Sequence, residues 1–142
     1  MFGYRLFSFL FVLTLILSGC ASVAETAKGF AGISTKVLEE GRSQAVRNEY
    51  AVGYSVCRAK VKEVLKDTGS YIYADKPEKL MIAVYVTRED TTPAGIFFKE
   101  LDKEKTLVEV SSPSTYAKEL IAKRIYDYFN PAIKEPDSSA VK

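Results

Sequence analysis

The chain of 142 residues sets 20 Lys and Arg against 18 Asp and Glu, a net charge of +2, and contains no histidine. A balance of this kind provides no electrostatic field for gathering nucleic acid, which excludes that class of partner. The missing histidine removes the commonest general base, every Ser-His or Cys-His nucleophile pair and the commonest zinc ligand.

At the start of the chain, Arg5 precedes an apolar run from Leu6 to Leu17, broken only by Ser8 and Thr14, and the small residues Ser18 and Gly19 lead into Cys20. This is the layout of an export signal. A run of about a dozen apolar residues falls short of the roughly 20 that a spanning helix needs, so residues 1–19 are expected to be a cleaved signal peptide. The sequence Leu17-Ser18-Gly19-Cys20 resembles the lipobox of bacterial lipoproteins. The resemblance implies cleavage before Cys20, a diacylglycerol on its thiol and usually an acyl chain on the new amine. Two or three chains, at about 0.8 kcal/mol per buried CH₂, hold far more firmly than the marginal single chain. The expected location is the bacterial cell envelope. Ala21, where an Asp would retain such proteins at the inner membrane, favours the periplasmic face of the outer membrane. With Cys20 lipidated, Cys57 is the only thiol left and no intramolecular disulfide forms.

Residues 20–45 read as a tether carrying Val23, Ala27, Phe30, Val37 and Leu38 at loosely helical spacing. Gly29 and Gly32 weaken a helix there by about 1 kcal/mol each relative to Ala. The segment either lifts the domain off the membrane or docks on it through that stripe.

A globular domain is expected over residues 46–130. In its first strand, Tyr50, Val52 and Tyr54 alternate with Glu49, Ala51 and Gly53. Ser55 is the expected cap of a helix over residues 56–67 that turns Cys57, Val61, Val64 and Leu65 to one face, and Gly69 ends it in a left-handed turn. Cys57 on that stripe reads as a small core hydrophobe rather than a reactive thiol. Further strands are expected at Ser70–Ala74, Leu80–Thr87, Ala94–Leu101 and Thr106–Ser111, and their short connections favour antiparallel neighbours. A last helix, with Ser112 as cap and Pro113 at its first position, carries Ala117, Leu120, Ile121, Ile125 and Tyr128 on one face and stops at Asn130 and Pro131. Residues 131–142 read as a disordered tail.

The order strand, helix, four strands, helix predicts an α+β domain: one antiparallel sheet of four to five strands packed with two helices. From Gly69 onward, the stretches SYIYAD, MIAVYVTREDTTPAGIFFKELD and VEVSSPSTYAKELIAKRI resemble small uncharacterised envelope lipoproteins. That resemblance supports the envelope location and the domain, and implies no activity.

No constellation of residues points to catalysis, a metal or a cofactor. Thr115 and Lys118 lack the Ser-x-x-Lys arrangement of a serine-lysine dyad. Glu89 and Asp90, before Thr91 and Thr92, lack the alternating acidic ligands and central Gly of a calcium loop. Glu100, Asp102 and Glu104 interleave with Lys99, Lys103 and Lys105 as on a solvated hairpin. One feature exceeds a plain fold. In residues 80–86, Leu80, Ile82, Val84 and Val86 share one face while Met81, Ala83 and Tyr85 take the other, and Ile96, Phe97 and Phe98 put apolar groups on both faces of their strand. A sheet with one wet face should alternate. The second face, with Met81, Tyr85 and whichever of Phe97 or Phe98 points that way, is therefore the expected interaction surface. Its cover is the tether, a second copy, a partner protein or an apolar ligand. The leading expectation is a non-catalytic, membrane-anchored accessory or scaffold that binds an envelope protein or itself. The alternative is a carrier or sensor of an apolar ligand such as lipid.

Overall fold

The computed structural model describes residues 34–131. The signal sequence, Cys20 with Ala21, and residues 132–142 of the expected tail lie outside the described residues. Five strands, β1 (Val46–Tyr50), β2 (Tyr71–Lys76), β3 (Met81–Tyr85), β4 (Pro93–Asp102) and β5 (Lys105–Ser111), form one antiparallel sheet in the order β1-β5-β4-β3-β2. Three helices accompany it: α1 (Thr35–Glu40), α2 (Tyr54–Asp67) and α3 (Thr115–Phe129). The fold is α+β, as the sequence predicts, and among the described residues the third helix, α1, lies in the segment that the sequence leaves open as a docked helix. Among the described residues, no helix is long and apolar enough to cross a membrane.

The chain leaves β1 at one edge of the sheet, crosses a face through α2, enters β2 at the other edge and meanders back to β5 beside β1. Strand alternation then divides the apolar residues. Ile82 and Val84 of β3, Ala94, Ile96 and Phe98 of β4, and Val108 and Val110 of β5 meet Cys57, Val61, Val64 and Leu65 of α2 and Ile121, Ala122 and Ile125 of α3 in the main core. Cys57 is fully buried, and burial pushes its thiol pKa up to about 11.

Several boundaries differ from the sequence reading, each for a local reason. β1 stops at Tyr50 and Tyr54 already belongs to α2. The cap is Gly53 rather than Ser55: its backbone is extended and its carbonyl accepts from Cys57 N at 2.9 Å. A Cβ at Gly53 would stand 2.5 Å from the Lys103 carbonyl oxygen, so the close approach of the β4–β5 turn requires glycine. Gly69 has φ 75° and ends α2 in the expected left-handed turn. β3 begins at Met81, not Leu80, because Leu80 adopts a left-handed conformation (φ 49°) after the 3₁₀ turn Pro77–Lys79. Ser114, not Ser112, caps α3, accepting from Ala117 N at 3.3 Å, and Pro113 precedes the helix. The Ser112 hydroxyl instead donates to the Pro93 carbonyl at 2.6 Å.

The segment before Val46, which the sequence leaves either as a spacer or as docked on the domain, is docked where it is described. Residues 35–44, read from sequence as part of a tether, form α1 and the 3₁₀ turn Gly41–Gln44 and pack on the second sheet face. The reason is visible in the register. One row across the sheet pairs Arg47 with Glu109, Glu109 with Phe97, Phe97 with Met81 and Met81 with Lys76. The next row pairs Ser111 with Gly95, Gly95 with Ala83 and Ala83 with Ala74, all small residues. They leave a furrow, and Leu38 fills it with Met81, Ala83 and Phe97 around it. Polar contacts fix the segment from both sides. Arg42 and Arg47 donate to the buried Glu109 carboxylate, Arg42 also lies 4.5 Å from the centre of the Phe97 ring, and Lys79 pairs with Glu39 at 2.8 Å.

Candidate functional site

The expected interaction surface is corrected by this packing. Met81 and Phe97 do face the second side but are only 1% and 3% exposed, because the residue 35–44 segment covers them. Phe98 points to the opposite face and belongs to the main core. Consecutive residues on a strand face opposite ways, so Phe97 and Phe98 never form one surface. Of the residues singled out from sequence, Tyr85 alone lies in the next row, where it pairs with Tyr71 of β2 and Pro93 of β4.

That row carries the accessible feature. The Tyr71 and Tyr85 rings stack with centroids 6.3 Å apart and planes at 11°, and Tyr73 stacks on Tyr85 at 4.4 Å and 25°. Tyr73 shares this face with Tyr71 by strand alternation, and an irregularity in register between Ile72 and Ala74 brings Ala74 onto it as well. The extra residue lets both Tyr73 and Ala74 pack on the Leu38 side, while Asp75 turns back towards Arg58 and Lys62 of α2. Burial first, and then the neighbouring Tyr85, push the Tyr73 hydroxyl up to about 12. Tyr71 at the sheet edge is 43% exposed, and Arg88 sits 5.5 Å from the centre of its ring.

Arg88 is presented by the β3–β4 connection, which its own side chains hold in shape. Thr87 Oγ1 accepts from the backbone of Glu89 and Asp90 at 3.2 and 2.9 Å, and Asp90 Oδ1 accepts from Thr92 N and Oγ1 at 3.1 and 2.6 Å. Hydrogen bonds from Thr92 hold the Asp90 carboxyl below its ordinary pKa. Asp90 is thus committed to the turn. Among the described residues, no three Cys, Asp or Glu side chains gather in a way that could hold a metal ion.

On the other side of Tyr71 opens a cleft of about 640 Å³ between α2, the start of β2 and the β3–β4 connection. Lys62, Glu63, Lys66, Ser70, Tyr71 and Arg88 are among its walls. Lys62 pairs with Asp75 at 2.8 Å, and Glu63 lies beside the Tyr128 hydroxyl of α3, whose pKa it raises. Behind Ser70, Arg124 of α3 donates to Ser70 Oγ and to the Val86 carbonyl, both at 3.1 Å. The sequence reading missed Tyr71, Arg88 and this cleft. Tyr71 lies in the expected second strand, but only the pairing of β2 with β3 reveals that it meets Tyr85. Compared with known protein families and with curated proteins, the chain matches none.

Proposed function

We propose that the chain is a non-catalytic, lipid-anchored protein of the bacterial envelope that binds another envelope protein through the β2 edge of its sheet. The observation that carries the reading is the exposed Tyr71, stacked on Tyr85 and flanked by Arg88. Tyr and Arg are enriched among the residues that carry binding energy in protein interfaces: Tyr offers large area with a polar handle at little loss of side-chain freedom, and Arg offers a planar fork of donors. The β2 edge also leaves one row of backbone groups outside the ladder. The Leu17-Ser18-Gly19-Cys20 sequence supports the anchor. An apolar ligand gripped between sheet and helix is disfavoured, because the chain's own side chains pack both faces.

The test places a photoreactive amino acid at position 71 of the full chain in cells, with position 116 as control, since Tyr116 of α3 is exposed and remote from the site in sequence. A protein adduct from position 71 and none from 116 is the expected result. Equal labelling from both positions removes the assignment. Cys20→Ser should move the protein from the membrane to the soluble envelope fraction, and wild-type protein found soluble with an unmodified Cys20 removes the anchor.

A further inference from the structure

The charges around the cleft do not cancel. Lys62 is paired with Asp75, and the Glu63 carboxylate is turned to the Tyr128 hydroxyl. Among the described residues, no carboxylate pairs with Lys66, Arg88 or Arg124. The half-buried Arg124 is held only by a hydroxyl and a carbonyl, so its charge stands behind Ser70 without a counter-ion. The cleft also receives the C-terminal end of α2, whose free carbonyls would oppose an anion. They are capped here: Thr68 N and Oγ1 donate to Val64 O, Gly69 N to Lys66 O and Ser70 N to Leu65 O. Glu63 keeps its negative charge in the cleft wall, so against the unpaired Lys66, Arg88 and Arg124 the side chains leave a net positive field that the capped helix end does little to reduce.

We infer that this cleft receives an acidic extended segment of the partner protein, whose carboxylates meet Arg88 and Lys66 while its backbone or apolar groups lie against Tyr71. The inference rests on the partner-binding reading and names the chemistry of the partner. An Arg guanidinium matches a carboxylate in a two-pronged geometry, and the cation already placed over Tyr71 is pre-positioned to make it. Membrane headgroups fit less well. Recognition of an anionic bilayer uses clusters of about 4–8 cations on one surface, whereas only Lys66 and Arg88 are unpaired at this rim and Arg124 is recessed.

Two measurements on the full chain in detergent and in cells test it. Titration with hexaglutamate should shift the amide resonances of Lys66, Gly69 to Ile72 and Arg88, while hexalysine should not. Lys66→Gln with Arg88→Gln should weaken the hexaglutamate affinity about fivefold or more, the sum of two exposed ion pairs, and Lys99→Gln with Lys103→Gln should leave it unchanged. No shift at these residues, equal loss in the hairpin control, or a stronger response of the same residues to phosphatidylglycerol vesicles than to the peptide overturns the inference. In cells, a photoreactive residue at position 89 should give a protein adduct that disappears in the Lys66→Gln, Arg88→Gln variant. An undiminished adduct removes the acidic segment and keeps the partner. Absence of any adduct from positions 71 and 89 removes the partner-binding reading and this inference with it.

Discussion

Leu38 lies against the sheet at Gly95, where an added Cβ would stand 3.0 Å from the Leu38 Cβ and 2.9 Å from the Phe97 ring. One leucine thus fastens α1 to the second face, and one glycine makes room for it. Leu38→Ala should cost about 2–5 kcal/mol, as for other buried leucines, and open Met81 and Phe97 to a hydrophobic dye. Gly95→Ala should cost about 1–3 kcal/mol through overpacking at the same place. Urea denaturation of the full chain measures both, and unchanged midpoints would mean that α1 is not held by this contact.

Glu109 makes the stability of that same segment depend on pH. Burial opposes its charge, but hydrogen bonds from Arg47 and Arg42 outweigh burial and hold the carboxyl below its ordinary value of 4.5. A lowered folded pKa contributes stability that is fully present above the unfolded value and is lost as pH falls through the folded one. The urea midpoint should therefore fall as pH drops below that ordinary carboxylate value, and Glu109→Gln should remove this component. At neutral pH the variant should lose about 1–3 kcal/mol, less than for a fully buried pair because Arg42 and Arg47 stay half exposed. Identical acid profiles for the two proteins would assign the loss to other carboxylates.

The elements that sequence reveals here are those with long periodic faces. α2 and α3 show four core positions each at helical spacing, and the strand meander follows from turns with strong local chemistry. α1 leaves a weaker trace: Val37 and Leu38 belong to the loose helical stripe of the segment before Val46, but the helix has six residues and buries only Leu38, too little to decide whether it docks. The apolar excess in β3 and β4 does announce a second covered face, but it cannot name the cover. What names it is the row Ser111, Gly95, Ala83 and Ala74, which comes from three strands besides β4 and exists only once they pair. The candidate site is illegible for the same reason. Tyr71, Tyr85 and Arg88 span 18 positions of a chain in which tyrosine is common, and the irregular register at Tyr73 has no sequence signature.

Ser111 adds a polar test of the covered face. Its hydroxyl is buried with no hydrogen-bond partner among the described residues, and a Cβ at Gly41 would lie 2.7 Å from it. Removing an unsatisfied buried hydroxyl relieves its desolvation, so Ser111→Ala should raise stability by up to about 1 kcal/mol. Gly41→Ala alone should lower it, and combining the two should restore much of the loss. A destabilising Ser111→Ala in thermal unfolding would reveal a hydrogen bond from outside the described residues.

Cys57 should behave as a core atom. With its pKa pushed up to about 11 by burial, the thiolate is scarce at neutral pH and the sulfur is out of reach of solvent. Alkylation of the folded protein should be slow at pH 7 and become rapid in denaturant. Cys57→Ala should cost on the order of 1 kcal/mol, the range for removing one small buried group. Fast labelling of the native chain would make Cys57 a reactive thiol.

Met81 and Tyr71 lie on the same face of the sheet but differ in what a charge would do there. Met81 is 1% exposed beneath α1, whereas Tyr71 is 43% exposed at the edge. Met81→Asp forces a carboxylate into an apolar site with no partner, a change on the order of 4–5 kcal/mol, and a domain of ordinary stability then loses much of its folded population. Tyr71→Asp leaves its charge in water, so stability should shift by about 1 kcal/mol or less. It should still abolish the adduct from a photoreactive residue at position 89, because it removes the ring that Tyr85 and Arg88 support and sets a negative charge where the acidic segment docks. Circular dichroism and thermal unfolding separate the two outcomes before any crosslinking is read. A folded Met81→Asp variant with native stability would mean that α1 leaves the second face readily. A folded Tyr71→Asp variant that keeps the adduct would take the binding surface away from the β2 edge.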